Sequence, residues 1–246
     1  MCTLQRNGDV FILIITGGGE HRLNPTLIDS IRAALARVKS DPARSAALIT
    51  TGEGEFYSTG YDLAWARSDP DPAQALARAR VMSEKLRLLV KDLISLPMPT
   101  IAAVNGYASA AGFILALSHD YVLMREDVGR LSMGELEINY RLSMWFVRVL
   151  RSKIGSPQIL RDVVLRAEKI DARRGVEWGI VDSAHATAAA TVAAAVDLGA
   201  DMAARRWDGK LYAANRRTVF AEVLAAMASD ETVGEDTSAD KGHSKM

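Results

Sequence analysis

The chain has 246 residues, with 30 basic and 30 acidic side chains, one cysteine and 49% hydrophobic residues. This length and apolar content are those of a globular protein with a substantial core, and the zero net charge provides no global field that favours nucleic acid. Cys2, the single cysteine, excludes an internal disulfide and a zinc site built on paired cysteines.

Apolar or β-branched runs alternate with stretches of helical periodicity in the first three quarters of the chain. Strands are predicted at Val10–Ile15, Ala46–Thr51, Thr100–Val104 and Tyr121–Met124. Helices are predicted from Pro25, behind Asn24 as N-cap, and over Ala73–Ser95 and Ala110–Ser118. This alternation indicates an α/β fold with largely parallel strands.

The rest of the chain is predicted to be helical, apart from its end. Helices are expected at Ser143–Ile154, Pro157–Leu165, Ala172–Trp178, Ala186–Arg206 and Leu211–Ala228. We therefore divide the chain into a core, 1–185, a helical region, 186–228, and a tail, 229–246. The tail is rich in acidic residues, Ser, Thr and Gly, so it buries too little to fold and is expected to be flexible.

One segment is long enough to cross a membrane, because no charged residue occurs between Leu93 and Ser118. It contains prolines, an Asn-Gly pair and serines, which a lipid-exposed helix tolerates poorly. We interpret it as a buried strand, a turn and a buried helix, and expect no membrane span. The N-terminus lacks the basic and long apolar regions of a secretory signal.

The last three residues are Ser244, Lys245 and Met246, close to the Ser-Lys-Leu address of peroxisomal proteins. An address must be exposed, and a flexible tail provides that. The tripeptide predicts recognition by the peroxisomal import receptor and a peroxisomal location, although a chance polar tail could also end this way.

Several common site motifs are absent from the sequence. A dinucleotide fingerprint beginning at Gly17 fails because its third glycine would fall at Arg22. No phosphate-binding P-loop and no G-x-S-x-G elbow occur, and the four histidines are too dispersed for a metal site. For His119 and Asp120 we expect a structural role.

Three segments have the composition of a functional site: Gly52–Leu63, Ala103–Leu115 and Leu131–Ile138. In the second, a strand and a sharp Asn-Gly turn lead into small residues that open a helix. A helix N-terminus presents unpaired N–H groups, and small residues let a ligand approach them, as in an oxyanion site. The alternative is that Ala110, Ala111 and Gly112 only pack tightly under a neighbouring element.

Together, and in this order, these segments resemble the crotonase superfamily of enoyl-CoA hydratases and isomerases over roughly Val10 to Asp182. The resemblance implies a spiral of ββα turns, followed by helices that assemble trimers or hexamers. It also implies acyl-CoA thioester substrates whose carbonyl is polarised by two backbone N–H groups. Coenzyme A would be part of the substrate, and no other cofactor and no metal are implied.

Carried over by position, the two N–H donors belong to Tyr61 and to Ala111, where many family members have Gly. The loop around Tyr61 is expected to contact the CoA adenine; its other residues are Thr59, Gly60, Asp62 and Leu63. Arg22 and Leu23 fall in the segment that lines the CoA entrance, although a solvated surface role for Arg22 is as well supported.

Family hydratases position water with two glutamates, and here the matching positions are Ile114 and Glu135. Ile114 can neither hold water nor transfer a proton, so the resemblance implies Δ3-Δ2-enoyl-CoA isomerisation, in which Glu135 alone moves a proton and Ile114 contacts the substrate. Glu137 is the rival base, because it would share a face with Glu135 in an extended segment. The following residues, Asn139–Leu142, lack the proline common in the family. Residual hydration and a non-catalytic acyl-CoA-binding subunit are the alternatives.

Overall fold

The structure, a computed structural model, describes residues 1–17, 19–41 and 46–229. The tripeptide Ser244-Lys245-Met246 and nearly all of the predicted tail therefore lie outside the described residues. Among the helices that are described, none is both long and apolar enough to cross a bilayer.

Two β-sheets organise the described part of the chain. The larger has six strands in the spatial order β1 (Cys2–Asn7), β2 (Val10–Ile15), β3 (Ala47–Gly52), β5 (Thr100–Val104), β7 (Tyr121–Arg125) and β9 (Ser183–His185). Only the β1–β2 pairing is antiparallel. The smaller sheet is parallel throughout and consists of β4 (Phe56–Ser58), β6 (Tyr107–Ser109) and β8 (Arg130–Ser132).

Helices account for most of the remaining described chain. They are α1 (Pro25–Ser40), α2 (Leu63–Ala66), α3 (Pro72–Ile94), α4 (Ala111–Leu117), α5 (Met144–Lys153), α6 (Pro157–Leu165), α7 (Ala172–Glu177), α8 (Ala188–Ala204), α9 (Gly209–Val219) and α10 (Ala221–Ser229), with a 3₁₀ helix at Glu135–Ile138. The predicted cap of α1 is confirmed, because Asn24 accepts a hydrogen bond from the Leu27 N–H at 3.0 Å.

Successive strand pairs divide between the two sheets in a repeating way. The first strand of each pair, β3, β5 and β7, joins the larger sheet, and the second, β4, β6 and β8, joins the smaller one. A helix follows each pair, so the predicted α/β spiral of ββα turns is confirmed. The segment from Leu93 to Ser118 forms the end of α3, then β5, β6 and α4, as the turn chemistry indicated.

The Ala-rich helix α8 packs on the larger sheet of its own chain. Ala195 lies in a core cluster with Val10, Ile49 and Ile101. A Cβ on Gly199 would stand 3.4 Å from the Ala47 and Val10 side chains. The small residues thus let α8 approach the strands closely. The division between the core, 1–185, and the helical region, 186–228, stays a prediction.

The single helix predicted over Leu211–Ala228 is wrong: α9 ends at Val219 and α10 begins at Ala221. The chain turns at Phe220, which is buried and packs into the main core. The buried Arg216 anchors α9 by donating to Asp120 at 2.8 Å, and Asp120 also accepts from the Thr100 N–H at 2.8 Å. The structural role expected for Asp120 fits these contacts.

Candidate active site

The three strands of the smaller sheet bring three distant segments to one edge. Ser58 of β4 is in register with Ala108 of β6, and Ser109 is in register with Ser132 of β8. Because these strands are parallel, their carboxyl ends meet at the same edge of the sheet. Tyr61, Ala111 and Glu135 each follow two or three residues later, so the sheet gathers all three residues predicted to be catalytic.

The first of these segments turns sharply at Gly60, whose φ is +93°. Leu23 bridges the loop, since its N–H donates to the Gly60 carbonyl at 2.7 Å and its own carbonyl accepts from the Asp62 N–H at 3.3 Å. In such a parallel bridge the N–H of the central residue, Tyr61, points to the opposite side, away from Leu23.

The second segment opens α4 immediately beside that loop. A Cβ on Gly60 would lie 3.1 Å from the backbone nitrogen of Ala111, which places the two predicted N–H donors on neighbouring backbone. Ala111 is the first residue of α4, where N–H groups have no partner within the helix. In the described part of the chain, this N–H donates to no other group.

Backbone strain accompanies this arrangement at Ala110, the residue before α4. Its φ of +51° and ψ of −124° lie in a region that favours glycine. Such a conformation costs about 1–3 kcal/mol and persists only where the surroundings impose it. Here the Ala110 N–H donates to the Ser132 carbonyl at 2.9 Å, which ties the start of α4 to the end of β8.

The third segment carries Glu135 at the start of the 3₁₀ helix. The residue is 8% exposed, and its Oε2 has no hydrogen-bond partner among the residues that the structure describes. Burial raises the pKa of Glu135 from its ordinary value of 4.5 to about 7. A carboxyl with that pKa exchanges protons readily near neutral pH, as a general base must.

Glu135 faces a small, mainly apolar cavity of about 50 Å³. The lining comes from the Tyr61 loop, α3, the segment after the 3₁₀ helix and the start of α5: Tyr61, Leu63, Ala79, Met82, Ser83, Glu135, Tyr140, Arg141, Leu142, Ser143 and Phe146. Sequence reasoning singled out the segment Asn139–Leu142, which supplies Tyr140, Arg141 and Leu142 to this lining. It missed the α3 residues Ala79, Met82 and Ser83, whose only signal was a buried helical stripe.

The prediction that Glu137 shares a face with Glu135 is wrong. It assumed an extended segment, whereas residues 135–138 form a 3₁₀ helix. With three residues per turn, side chains two positions apart point about 120° away from each other. Glu137 is accordingly exposed while Glu135 is buried.

The other predicted contact residues lie around the same loop but differ in exposure. Arg22 is half-exposed and pairs with Glu20 at 2.9 Å, beside an open cavity of about 710 Å³. The Thr59 hydroxyl donates to the Glu20 carboxylate at 3.1 Å. Asp62 accepts from the Trp65 N–H at 3.0 Å and so caps α2.

Two further predicted residues have fully buried side chains. Leu23 is 0% exposed, so it shapes the loop through its backbone. Ile114 is also 0% exposed and lies one turn after Ala111 in α4. An apolar side chain therefore fills the position at which family hydratases carry their other glutamate.

The sequence profile of the enoyl-CoA hydratase/isomerase family matches residues 20–239. Enoyl-CoA delta isomerase 1, peroxisomal, of Arabidopsis thaliana is 53% identical over 96% of this chain and 94% of its own length. Enoyl-CoA delta isomerase 2, peroxisomal, of the same plant is 43% identical over 95% of this chain and 98% of its own. Enoyl-CoA delta isomerase 3 of the same plant, whose name gives no location, is 42% identical over 91% of this chain and 93% of its own length.

Among solved structures, an enoyl-CoA hydratase from Mycobacterium marinum superimposes with a TM-score of 0.81 at 19% identity, covering 92% of this chain and 94% of the other. That likeness concerns the fold, which is the crotonase fold expected from the motifs. The family profile spans most of the chain, and the plant relatives exceed 40% identity over more than nine-tenths of it. The chain therefore belongs to the enoyl-CoA hydratase/isomerase family.

Proposed function

We propose that this protein is an enoyl-CoA isomerase that moves the double bond of a 3-enoyl-CoA to the 2-trans position in fatty-acid β-oxidation. The observation that carries the proposal is Glu135, a buried carboxyl whose Oε2 has no hydrogen-bond partner among the described residues. It stands at the sheet edge where the backbone of Tyr61 and Ala111 also meets. The names of the Arabidopsis relatives support the same reaction.

In the proposed mechanism, the thioester oxygen accepts hydrogen bonds from the N–H groups of Tyr61 and Ala111. The Glu135 carboxylate removes a proton from C2, and the electron pair spreads over a dienolate whose charge lies mainly on that oxygen. The protonated Glu135 then returns the proton to C4, leaving the double bond between C2 and C3. Each backbone donor contributes a factor of about 10²–10³ in rate, and a positioned general base contributes about 10²–10⁴.

Isomerisation fits these residues better than hydration. Water addition in the family relies on a second carboxylate, and Ile114 at that position offers no polar atom to hold water. The apolar lining around Glu135 also favours a hydrocarbon chain over water. Since one base can serve both C2 and C4 on one face of the dienolate, a single glutamate suffices, and no cofactor is required.

A direct test is to mix the protein with a 3-enoyl-CoA and follow the ultraviolet absorbance of the conjugated product. We expect conjugation, and little water addition when 2-trans-enoyl-CoA is supplied instead. Faster hydration than isomerisation would favour a hydratase. Calorimetric binding of acyl-CoA without turnover would favour a non-catalytic subunit.

We also propose that the protein works in the peroxisome. Two of the Arabidopsis relatives are named peroxisomal, and Ser244, Lys245 and Met246 would be read by the import receptor. The measurement is the location of an N-terminal fluorescent fusion in cells. We expect punctate fluorescence, and cytosolic fluorescence after deletion of the three residues; unchanged puncta would contradict the role of the tripeptide.

Assembly into trimers or hexamers is a further proposal, supported by the family resemblance. Trp207, Leu211 and Val219, around and on α9, are 46%, 62% and 73% exposed. Large apolar side chains exposed together are what a second copy of the chain would cover. Sedimentation equilibrium tests this, and a monomer at micromolar concentration would contradict it.

A further inference from the structure

A hydrogen-bonded chain of three side chains lies in the core beneath the candidate site. Tyr57, Thr50 and His119 are 0%, 4% and 0% exposed. Thr50 Oγ1 lies 2.7 Å from the Tyr57 hydroxyl and 2.8 Å from His119 Nε2. On the other side of the ring, His119 Nδ1 lies 2.9 Å from the Leu115 carbonyl and 3.2 Å from that of Ala116.

The partners fix the direction of each hydrogen bond that Tyr57, Thr50 and His119 make with one another and with α4. Both groups near His119 Nδ1 are carbonyls, which only accept, so Nδ1 carries the proton and Nε2 accepts. The Thr50 hydroxyl must then donate to Nε2, and the Tyr57 hydroxyl must donate to Thr50. Burial lowers the pKa of His119 to about 3, so the ring stays neutral and this order holds at any physiological pH.

These three side chains connect β4, which leads into the loop that contains Tyr61, to α4, which begins at Ala111. Tyr57 belongs to β4 and precedes Tyr61 by four residues. His119 follows α4, which begins at Ala111, and its ring binds back to the last turn of that helix. Thr50 in β3 connects Tyr57 to His119. The three side chains therefore link β4, the strand before the Tyr61 donor, to α4, the helix that begins with the Ala111 donor.

The stability of the core alone does not require polar groups here, because replacing hydrogen-bonded partners by apolar groups of the same shape can be nearly neutral or stabilising. A hydrogen bond adds directionality, since it weakens steeply when its length or angle changes. It therefore resists a relative shift of β4 and α4 that apolar contacts would tolerate. A shift of 1 Å in a catalytic site can cost a factor of about 100 in rate.

We propose that Tyr57, Thr50 and His119 are positioning residues that set the distance between the N–H groups of Tyr61 and Ala111. The proposal rests on the proposed function, in which those two groups hold the thioester oxygen. None of the three side chains touches the substrate in this account. They act through the backbone of the loop and of the helix.

The test compares Tyr57→Phe, Thr50→Val and Thr50→Ser with a matched control, Ser118→Ala. The Ser118 hydroxyl, at the C-cap of α4, is equally buried and donates to the Ile114 carbonyl at 2.7 Å without a link to β4. For each variant, kcat and KM are measured on a 3-enoyl-CoA. The carbonyl stretching frequency of bound hexanoyl-CoA is recorded as well, because it reports the strength of the hydrogen bonds to the thioester oxygen.

We expect Tyr57→Phe and Thr50→Val to lower kcat about tenfold with KM nearly unchanged, because a displaced donor weakens transition-state binding. The carbonyl frequency should rise in both, and Thr50→Ser should restore both readouts. Ser118→Ala should lose stability but keep the wild-type kcat and frequency. If Thr50→Val does not fold, Tyr57→Phe, which removes a single donor, decides the outcome.

Wild-type kcat and carbonyl frequency in Tyr57→Phe would overturn the positioning role while leaving the isomerase assignment intact. If the wild type does not isomerise at all, the proposed function fails instead. The positioning role is then judged on the amide chemical shifts of Tyr61 and Ala111, which Tyr57→Phe should move and Ser118→Ala should not. Unmoved shifts in Tyr57→Phe would reject it.

Discussion

Glu135 lies in a buried and mainly apolar environment, where an ionised carboxyl is unfavourable. Burial raises its pKa to about 7, and one pKa unit corresponds to about 1.4 kcal/mol. The ionised form therefore destabilises the folded protein by about 3 kcal/mol relative to a carboxyl that keeps its ordinary pKa. Strain at Ala110 adds to that cost, so the protein gives up stability at the same edge of the smaller sheet where the predicted catalytic residues meet.

Replacing Glu135 with Gln should therefore stabilise the protein, but only at higher pH. The folded-state pKa lies above the unfolded one, so the penalty is absent below about pH 4.5, grows as pH rises and is complete above about pH 7. We expect Glu135→Gln to be more stable than wild type by about 3 kcal/mol at pH 8 and nearly equal at pH 4. Urea unfolding at both pH values measures this, and a pH-independent difference would contradict the burial of an ionisable carboxyl.

Gly60 is the residue whose substitution should damage the predicted oxyanion site most selectively. A Cβ there would stand 3.0 Å from the Ser109 carbonyl oxygen and 3.1 Å from the Ala111 nitrogen, at a φ of +93°. Gly60→Ala must therefore move one donor loop away from the other. We expect a loss of at least about 10² in kcat/KM. The conjugation assay checks this, and a folded variant with wild-type kcat/KM would remove this loop from the site.

Among the elements, the apolar strands of the larger sheet were predicted from the sequence, and the three-residue strands of the smaller sheet were not. The strands of the larger sheet from β2 to β7 are apolar runs of five or six residues, enough to be recognised. The strands β4, β6 and β8 have three residues each, too few for any periodicity. The smaller sheet was therefore not predicted from periodicity, although it is what brings Tyr61, Ala111 and Glu135 together.

The candidate site residues could be named from the sequence only because their motifs resemble a family, and their roles stay predictions. Spacing alone did not decide whether Glu135 or Glu137 is the base, because in an extended segment both side chains would lie on the same face. The 3₁₀ helix that separates them depends on local turns, such as Asn139 at a φ of +56°, that no periodicity reveals. The α3 side of the cavity was also missed, because Met82 reads as an ordinary core residue of a helix.

Met82 offers a test of that helix as one wall of the acyl site. It is 1% exposed and lines the cavity beside Glu135. Met82→Ala should widen the cavity and raise kcat/KM for long-chain relative to short-chain 3-enoyl-CoA substrates, while costing about 2–5 kcal/mol of stability. Rates on C6 and C12 substrates measure this. An unchanged ratio would place the acyl chain elsewhere.

Across the whole molecule, the equal numbers of acidic and basic residues that argued against nucleic acid are compatible with an anionic CoA ester. Local backbone donors and a few side chains such as Arg22 can meet such a ligand without a global field. The buried contact between Arg216 and Asp120 ties α9 to the core. That contact, like the packing of α8 on the sheet, could not be inferred from helical periodicity.

Removing one partner of this buried pair should loosen the C-terminal helices. Asp120→Ala would leave the Arg216 guanidinium, 5% exposed, without its carboxylate. We expect the free energy of unfolding to fall by about 3–5 kcal/mol. Urea unfolding measures the loss, and limited proteolysis should cut near Trp207 before the core. A loss below 1 kcal/mol would show that α9 is held mainly by apolar packing.

Glu135, buried and without a hydrogen-bond partner among the described residues, is the residue that we propose moves the proton. The most direct measurement is the rate at which wild type, Glu135→Gln and Glu137→Gln conjugate a 3-enoyl-CoA, followed by ultraviolet absorbance. We expect a loss in rate of at least about 10² for Glu135→Gln and a wild-type rate for Glu137→Gln, whose side chain is exposed. An undiminished rate in Glu135→Gln would contradict this proposal.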